Sequence, residues 1–263
     1  MTGATPKVEL RNIDLRYFTL DGETEAVSGF SLDVSPGEFV AIVGQSGCGK
    51  STLLSLVAGI LKPTAGEVLV NGSSVAGPSS ICGYMLQQDY LFEWRSILDN
   101  VLLGAEIQGH DRLAARKRAE LLLRGYGLGD FMAHFPHQLS GGMRQRAALA
   151  RTLCTDPEIL LLDEPFSALD FQTRLALADE VSDILRREGK TVILVTHDIS
   201  EAVSMADRVI VMSKRPGRVK AVHDIMFDSQ GGDRPSPFEA RSRPEFQRYF
   251  DQIWGELEIH VGT

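Results

Sequence analysis

The stretch that most limits how this chain can fold is Glu38–Leu61, EFVAIVGQSGCGKSTLLSLVAGIL. An apolar run of buried-strand type leads straight into GQSGCGKST, Gly44–Thr52, and a helical pattern follows at once. The spacing fits G-x-x-x-x-G-K-[ST]. Glycines let consecutive backbone N–H groups point at one anion, and the helix N-terminus adds partial positive charge. The loop Gly44, Gln45, Ser46, Gly47, Cys48, Gly49, Lys50, Ser51 and Thr52 is therefore expected to cradle a nucleotide's phosphates. Lys50 would reach the β- and γ-phosphates, and the Ser51 hydroxyl would ligate Mg²⁺.

A loop of this kind needs a carboxylate at the end of a neighbouring strand. Ile159–Glu164, ILLLDE, supplies two. Asp163 at the strand end suits the metal, directly or through water. Glu164, one residue on, would face the γ-phosphate and accept a proton from an attacking water. His197 follows TVILVT in the same manner. It would reach the same sheet edge, where ligands bind in α/β folds, and contact the γ-phosphate.

Strand patterns at Val8–Tyr17 and FSLDV flank a turn-rich stretch, TLDGETEAV. Others fall at EVLVNG, Ile81–Leu86, EILLLDE, TVILVTH and RVIVMS, with helices at about 171–188 and 200–206. Strands alternating with helices predict an α/β fold with a mainly parallel sheet. The expected division is an ATPase core over 1–87 and 157–228, an inserted helical subdomain over 88–156, and a tail over 229–263. The segment Ser229–Pro244 reads as a linker, followed by a terminal amphipathic helix in PEFQRYFDQIWGELEI. Net charge is −8, which argues against a nucleic-acid partner. Three cysteines without metal-ligand spacing suggest a reducing compartment. The amino terminus shows no apolar signal core, and no run approaches the roughly 20 apolar residues of a bilayer span.

One stretch is unexplained by this chemistry. Leu139–Arg151, LSGGMRQRAALAR, opens a helix on two adjacent glycines behind a good N-cap, Ser140. That makes a second anion site, far from the first in sequence.

The set Gly44–Thr52, Gln87, Leu139–Gln145, Ile159–Glu164, Ser167–Asp170 and His197 resembles, in residues and order, the ATP-binding-cassette (ABC) ATPases. The resemblance runs from Val8 to about Asp228. It implies a P-loop (RecA-like) ABC ATPase core with an antiparallel β edge and an inserted helical subdomain. It also implies that ATP, with Mg²⁺, lies between two head-to-tail cassettes, so that Ser140, Gly141, Gly142 and Gln145 serve the partner's nucleotide. Asp170 would communicate across the dimer. Gln87 would touch Mg²⁺ or the attacking water, with Gln88 adjacent as the alternative. Tyr17 would stack on adenine, with Phe18 competing for the role.

One cassette, without a membrane span or a long insertion, resembles a separate transporter subunit. QQDYLFEWRSILDNVLLG and LSGGMRQR resemble the nitrate-, sulfonate- and taurine-type importers, although Glu93 stands where proline is usual there. The partners this implies are a second cassette, transmembrane permease subunits and a solute-binding protein, at the cytoplasmic face of the membrane. Phe92 and Trp94 are candidate permease contacts or core residues. The rival reading is a soluble regulatory or DNA-repair ATPase.

Overall fold

The computed structural model describes residues 5–19, 22–228 and 234–257. The chain runs β1 (Val8–Thr19), β2 (Gly22–Val34), β3 (Phe39–Val43), α1 (Lys50–Val57), β4 (Ala65–Val70), β5 (Ser73–Ser74) and β6 (Cys82–Met85). Three helices follow, α2 (Ile97–Gln108), α3 (Arg112–Gly125) and α4 (Gly141–Cys154). Then come β7 (Ile159–Asp163), α5 (Phe171–Arg187), β8 (Thr191–Thr196), α6 (Ile199–Met205), β9 (Arg208–Met212) and β10 (Val219–Asp224). The helices α7 (Pro237–Ala240) and α8 (Pro244–Glu256) close the described chain.

Among the described residues, ten strands form two sheets. An antiparallel sheet has the order β2-β1-β4-β5, and a six-stranded sheet has the order β10-β9-β3-β8-β7-β6. In the second sheet only β10 runs antiparallel to its neighbour. Both faces of its central strands are covered, so β3, β7 and β8 read as nearly unbroken apolar runs. Alternate residues enter different cores. Phe39, Ala41 and Val43 join Leu160, Leu162, Val192 and Leu194 beneath the outer helices. Val40, Ile42, Ile159, Leu161, Ile193 and Val195 face α1 and the antiparallel sheet. Burying one such side chain is worth about 1.5–3 kcal/mol, and a one-residue slip would exchange the two sets.

The register also builds the site. Val43 pairs with Thr196 and Asp163 with Val195, so β3, β7 and β8 end on one edge. The glycine loop, the Asp163–Glu164 pair and His197 all leave from that edge, outside the carboxyl ends of parallel strands.

The structure differs from these expectations in five places. The expected turn TLDGETEAV is largely strand, because β2 pairs with β1 from Gly22 onward. An ion pair between Arg16 and Glu23, 2.8 Å, joins the two strands there. The apolar alternation of β1 breaks at Asn12, whose φ of 48° marks an irregularity that turns both Leu10 and Ile13 inward. Helix α1 stops at Val57 rather than running to Leu61, since Gly59 takes a φ of 73°. Residues 88–96 are loop, so helix begins only at Ile97. Of the expected linker, 229–233 lies outside the described residues, and the remainder is tied down. Arg234 donates to the carbonyls of Ile225 and Val203, each at 3.1 Å. The expected terminal helix is α8, and it buries Phe246 and Ile253.

Candidate functional site

Gly49, at φ 104°, turns the loop into α1, and a Cβ there would lie 2.9 Å from Val27 Cγ2. Only glycine satisfies both constraints. Ser46, Gly47, Gly49, Lys50, Ser51 and Thr52 line a cleft of about 220 Å³. Lys50 Nζ donates to the carbonyls of Gly44 and Gln45, at 2.8 and 3.0 Å, which curls the side chain over the loop. Two loop side chains turn away from the cleft. Cys48 is buried in the core, where desolvation pushes its thiol up. Gln45 Nε2 donates to the Leu257 carbonyl at 2.9 Å, so the end of α8 braces the loop. Tyr17 lines the cleft and shares a hydrogen bond with the Thr52 hydroxyl, 3.1 Å, while Phe18 points to solvent.

Past the end of β7 the backbone does something unusual. Glu164 has φ 49°, a left-handed conformation costing about 1–2 kcal/mol for a side chain of this kind. The surroundings hold it there. Its N–H donates to Val195 O at 2.8 Å, and its carbonyl accepts from Gln145 Nε2 at 3.1 Å and Ser167 Oγ at 3.0 Å. The turn aims the carboxylate between two side chains. Gln87 Nε2 donates to Oε2 at 3.2 Å, and His197 Nδ1 lies 3.2 Å from Oε1. Gln88 makes no such contact, which selects Gln87 over its neighbour. Of the three residues named from the sequence as catalytic, Gln87 and His197 therefore each contact Glu164.

Asp163 is 3% exposed, and its Oδ1 has no hydrogen-bond partner. Burial pushes its carboxyl above the usual range; hydrogen bonding to Ser51 opposes that, Glu164 adds to it, and Lys50 again opposes it. A buried carboxylate oxygen left open beside a serine hydroxyl fits a hard cation with oxygen ligands. Among the described residues no group of three His, Cys, Asp or Glu could hold a metal alone. Mg²⁺ here would draw its remaining ligands from phosphate and water, as that ion commonly does.

None of the residues 139–145 lines this cleft. Ser140 caps α4 by accepting from Met143 N at 3.3 Å, and a Cβ on Gly141 would meet nothing within 4 Å. Gln145 is a correction. It is 5% exposed, and its amide is spent on Glu164 O and on the Ala168 N–H, which donates to it at 3.0 Å. It steadies the turn at Glu164 from behind, with its amide spent inside its own chain. Asp170 caps α5 by accepting from Thr173 N at 3.0 Å, and that contact lowers its carboxyl pKa.

Three further residues were given no role from the sequence, because each acts through a partner distant in the chain. Arg215, in the β9–β10 turn, lines the cleft and donates from Nε to Gly47 O at 3.1 Å. Arg174 joins Leu169 O to Asp198 Oδ2, each at 3.1 Å, and so links the loop before Asp170 to the loop carrying His197. Arg144 pairs with Asp89 at 3.0 Å and donates to Leu139 O at 3.1 Å, tying the segment after Gln87 to α4.

Comparison with known proteins agrees with this geometry. A family model described as ABC transporter matches residues 27–167. A shorter match, to an AAA domain described as a putative AbiEii toxin of a type IV TA system, covers residues 133–204. The uncharacterized ABC transporter ATP-binding protein YtlC of Bacillus subtilis is 48% identical, over 92% of each chain. The taurine import ATP-binding protein TauB of Roseobacter denitrificans is 39% identical, over 100% of this chain and 98% of its own. Among solved structures, the dimeric post-hydrolysis cassette MJ0796 bound to ADP and Pi superposes with a TM-score of 0.77 at 33% identity. That match covers 84% of this chain and 100% of MJ0796. The chain belongs to the ABC transporter family, as one of its ATP-binding, ATP-hydrolysing members.

Proposed function

We propose that this chain is the ATPase subunit of a membrane importer and works as a head-to-tail pair with a second cassette, most simply another copy of itself. The observation that carries this reading is the placement of Ser140, Gly141 and Gly142. They form a helix N-terminus, open at Gly141 and suited to an anion, that lies outside the chain's own nucleotide cleft. A partner's γ-phosphate is the anion it fits.

In the closed pair, ATP would sit on the loop Gly44–Thr52 with Tyr17 against adenine. Ser51, Asp163 and Gln87 would hold Mg²⁺, which supplies charge neutralisation on the phosphates. Glu164, fixed between Gln87 and His197, takes a proton from water as the water oxygen attacks the γ-phosphorus. The bond to the β–γ bridging oxygen breaks, leaving ADP and phosphate. General-base assistance of this kind gives about 10²–10⁴ in rate. His197 orients the phosphate, and Asp170 faces the partner cassette.

The coupling surface would be the segment after Gln87. Tyr90 and Trp94 are exposed, Trp94 at 73%, and the Phe92 and Trp94 rings lie 4.8 Å apart. An exposed aromatic cluster suits a permease's cytoplasmic helix. Arg144 and Arg151 hold this segment to α4, the latter through Tyr90 O at 2.8 Å. Among the described residues no helix is long and apolar enough to cross a membrane, which fits a peripheral subunit at the cytoplasmic face. The taurine-import relatives favour a small organic anion or a nitrate- or sulfonate-like compound as cargo, delivered by a solute-binding protein.

The test is capture of tagged Glu164→Gln protein from its native membranes in mild detergent, with partners identified by mass spectrometry. A multi-span permease is expected. Soluble partners or DNA alone would remove the transport reading and leave the ATPase. Trp94→Ala is expected to keep ATP binding and to lower uptake; unchanged uptake would reject the coupling surface.

A further inference from the structure

The turn between β9 and β10 lies flush against the phosphate loop. A Cβ on Gly217 would collide with the Cys48 carbonyl, and Gly217 N donates to Ala26 O at 2.9 Å while its carbonyl accepts from Ser28 N at 3.1 Å. Ser213 shapes the turn by donating from Oγ to Pro216 O and accepting from Arg218 N, each at 3.0 Å. Arg215 is therefore carried into the cleft on a fixed backbone.

Its guanidinium has donors to spare. Nε is spent on Gly47 O, and among the described residues no other hydrogen bond and no ion pair is made. A guanidinium presents five N–H donors in a planar fork that matches phosphate oxygens. The cleft already holds the carboxylate of Glu164, while the ammonium of Lys50 is turned onto loop carbonyls. A phosphate chain entering here needs more positive charge than Lys50 supplies, and Arg215 is the other cation lining the cleft.

We propose that Arg215 is a nucleotide-binding residue, whose terminal N–H groups hydrogen-bond the phosphate chain of the bound nucleotide while Nε anchors it to Gly47. The proposal rests on the reading of this cleft as the ATP site.

The test measures the affinity of the full chain for ATP, ADP and tripolyphosphate. Arg215→Gln is expected to weaken all three about tenfold, corresponding to about 1.4 kcal/mol. Tyr17→Ala is expected to weaken ATP and ADP but not tripolyphosphate, which has no base to stack. Arg215→Lys, which keeps the charge, is expected to retain most of the affinity. A residue that only braces Gly47 would lose it equally in both Arg215 variants. Wild-type protein that binds ATP, with Arg215→Gln binding ATP and tripolyphosphate equally well, overturns the proposal. Wild-type protein that binds no ATP overturns the underlying reading instead. A measurement needing no variant is modification of Arg215 by phenylglyoxal, followed by peptide mass. Saturating ATP or tripolyphosphate is expected to slow it at least fivefold, and an unchanged rate would count against the contact.

Discussion

Asn100 shows how one buried amide can set the shape of the proposed coupling surface. It is 0% exposed and ties down the loop that displays Trp94. Oδ1 accepts from Phe92 N at 2.7 Å, and Nδ2 donates to the carbonyls of Phe92, Arg95 and Ser96 at 3.1, 3.1 and 3.0 Å. In Asn100→Ala, two of those groups keep a second partner. Phe92 O still accepts from Arg95 N, and Ser96 O from residue 100's own N–H. The Phe92 N–H and the Arg95 carbonyl are left without one. At about 1–3 kcal/mol for each orphaned polar group, the loss is about 3 kcal/mol. For a chain of this size that corresponds to a melting temperature lower by about 6–12 °C.

Asn100→Asp separates chemistry from shape. It keeps the acceptor for Phe92 N–H but turns a carboxylate oxygen toward three carbonyls. Protonation relieves the charge yet supplies one O–H for all three, and holding a carboxyl neutral at pH 7 costs about 4 kcal/mol. The isosteric change is therefore expected to be at least as damaging as alanine. Thermal melts give stability, and Trp94 emission in a Trp254→Phe background reports the loop, which should become more solvated. ATP affinity should hold within about twofold, an order-of-magnitude allowance for distant, independent sites. An Asn100→Asp protein as stable as wild type, or with unaltered Trp94 emission, would show that the Asn100 amide does not hold this loop.

Two further outcomes follow from geometry. Gly141→Ala meets open space in its own chain, so folding and ATP binding should persist while hydrolysis falls at least tenfold; full ATPase activity would mean that no nucleotide closes onto this glycine. Glu201 is 3% exposed, and burial raises its carboxyl from 4.5 to about 7, against the hydrogen bond from Thr196 and the nearby Arg174 charge. The native state thus holds this proton more tightly than the unfolded chain, so stability from Glu201 is complete below pH 4.5 and is lost as pH rises through 7. The total is about 3 kcal/mol. Glu201→Gln removes that slope and should gain on wild type between pH 5 and 8 in denaturant melts; parallel stability profiles would contradict the assignment.

Much of the site was legible because its chemistry sits in contiguous motifs. Gly44–Thr52, Asp163–Glu164 and His197 each follow a strand whose unbroken apolar run announces burial on both faces. The parallel register then brings the three ends together. What escaped the sequence depends on contacts between distant segments. Arg215 reaches the cleft by packing against a loop 168 residues away, and Arg174 acts by bridging two loops. Gln145 misled for a related reason. Its place in the motif next to the glycines suggested an outward contact, but α4 rotates it inward, against the strained turn at Glu164. The irregularity at Asn12 and the early stop of α1 at Gly59 depend on positive φ values that residue type alone only hints at.

In the proposed closed pair, two copies meet on ATP, each supplying Ser140–Gly142 to the other's nucleotide. The most direct measurement is the solution mass of Glu164→Gln protein, by light scattering across a dilution series, with and without Mg-ATP. Removing the base while leaving the cleft intact should trap the closed pair. Expected are a monomer without nucleotide, a dimer with ATP, and a return to monomer when Gly141→Arg is added. A protein that stays monomeric with saturating ATP, while the wild type hydrolyses ATP at a rate per chain independent of dilution, would contradict that pairing.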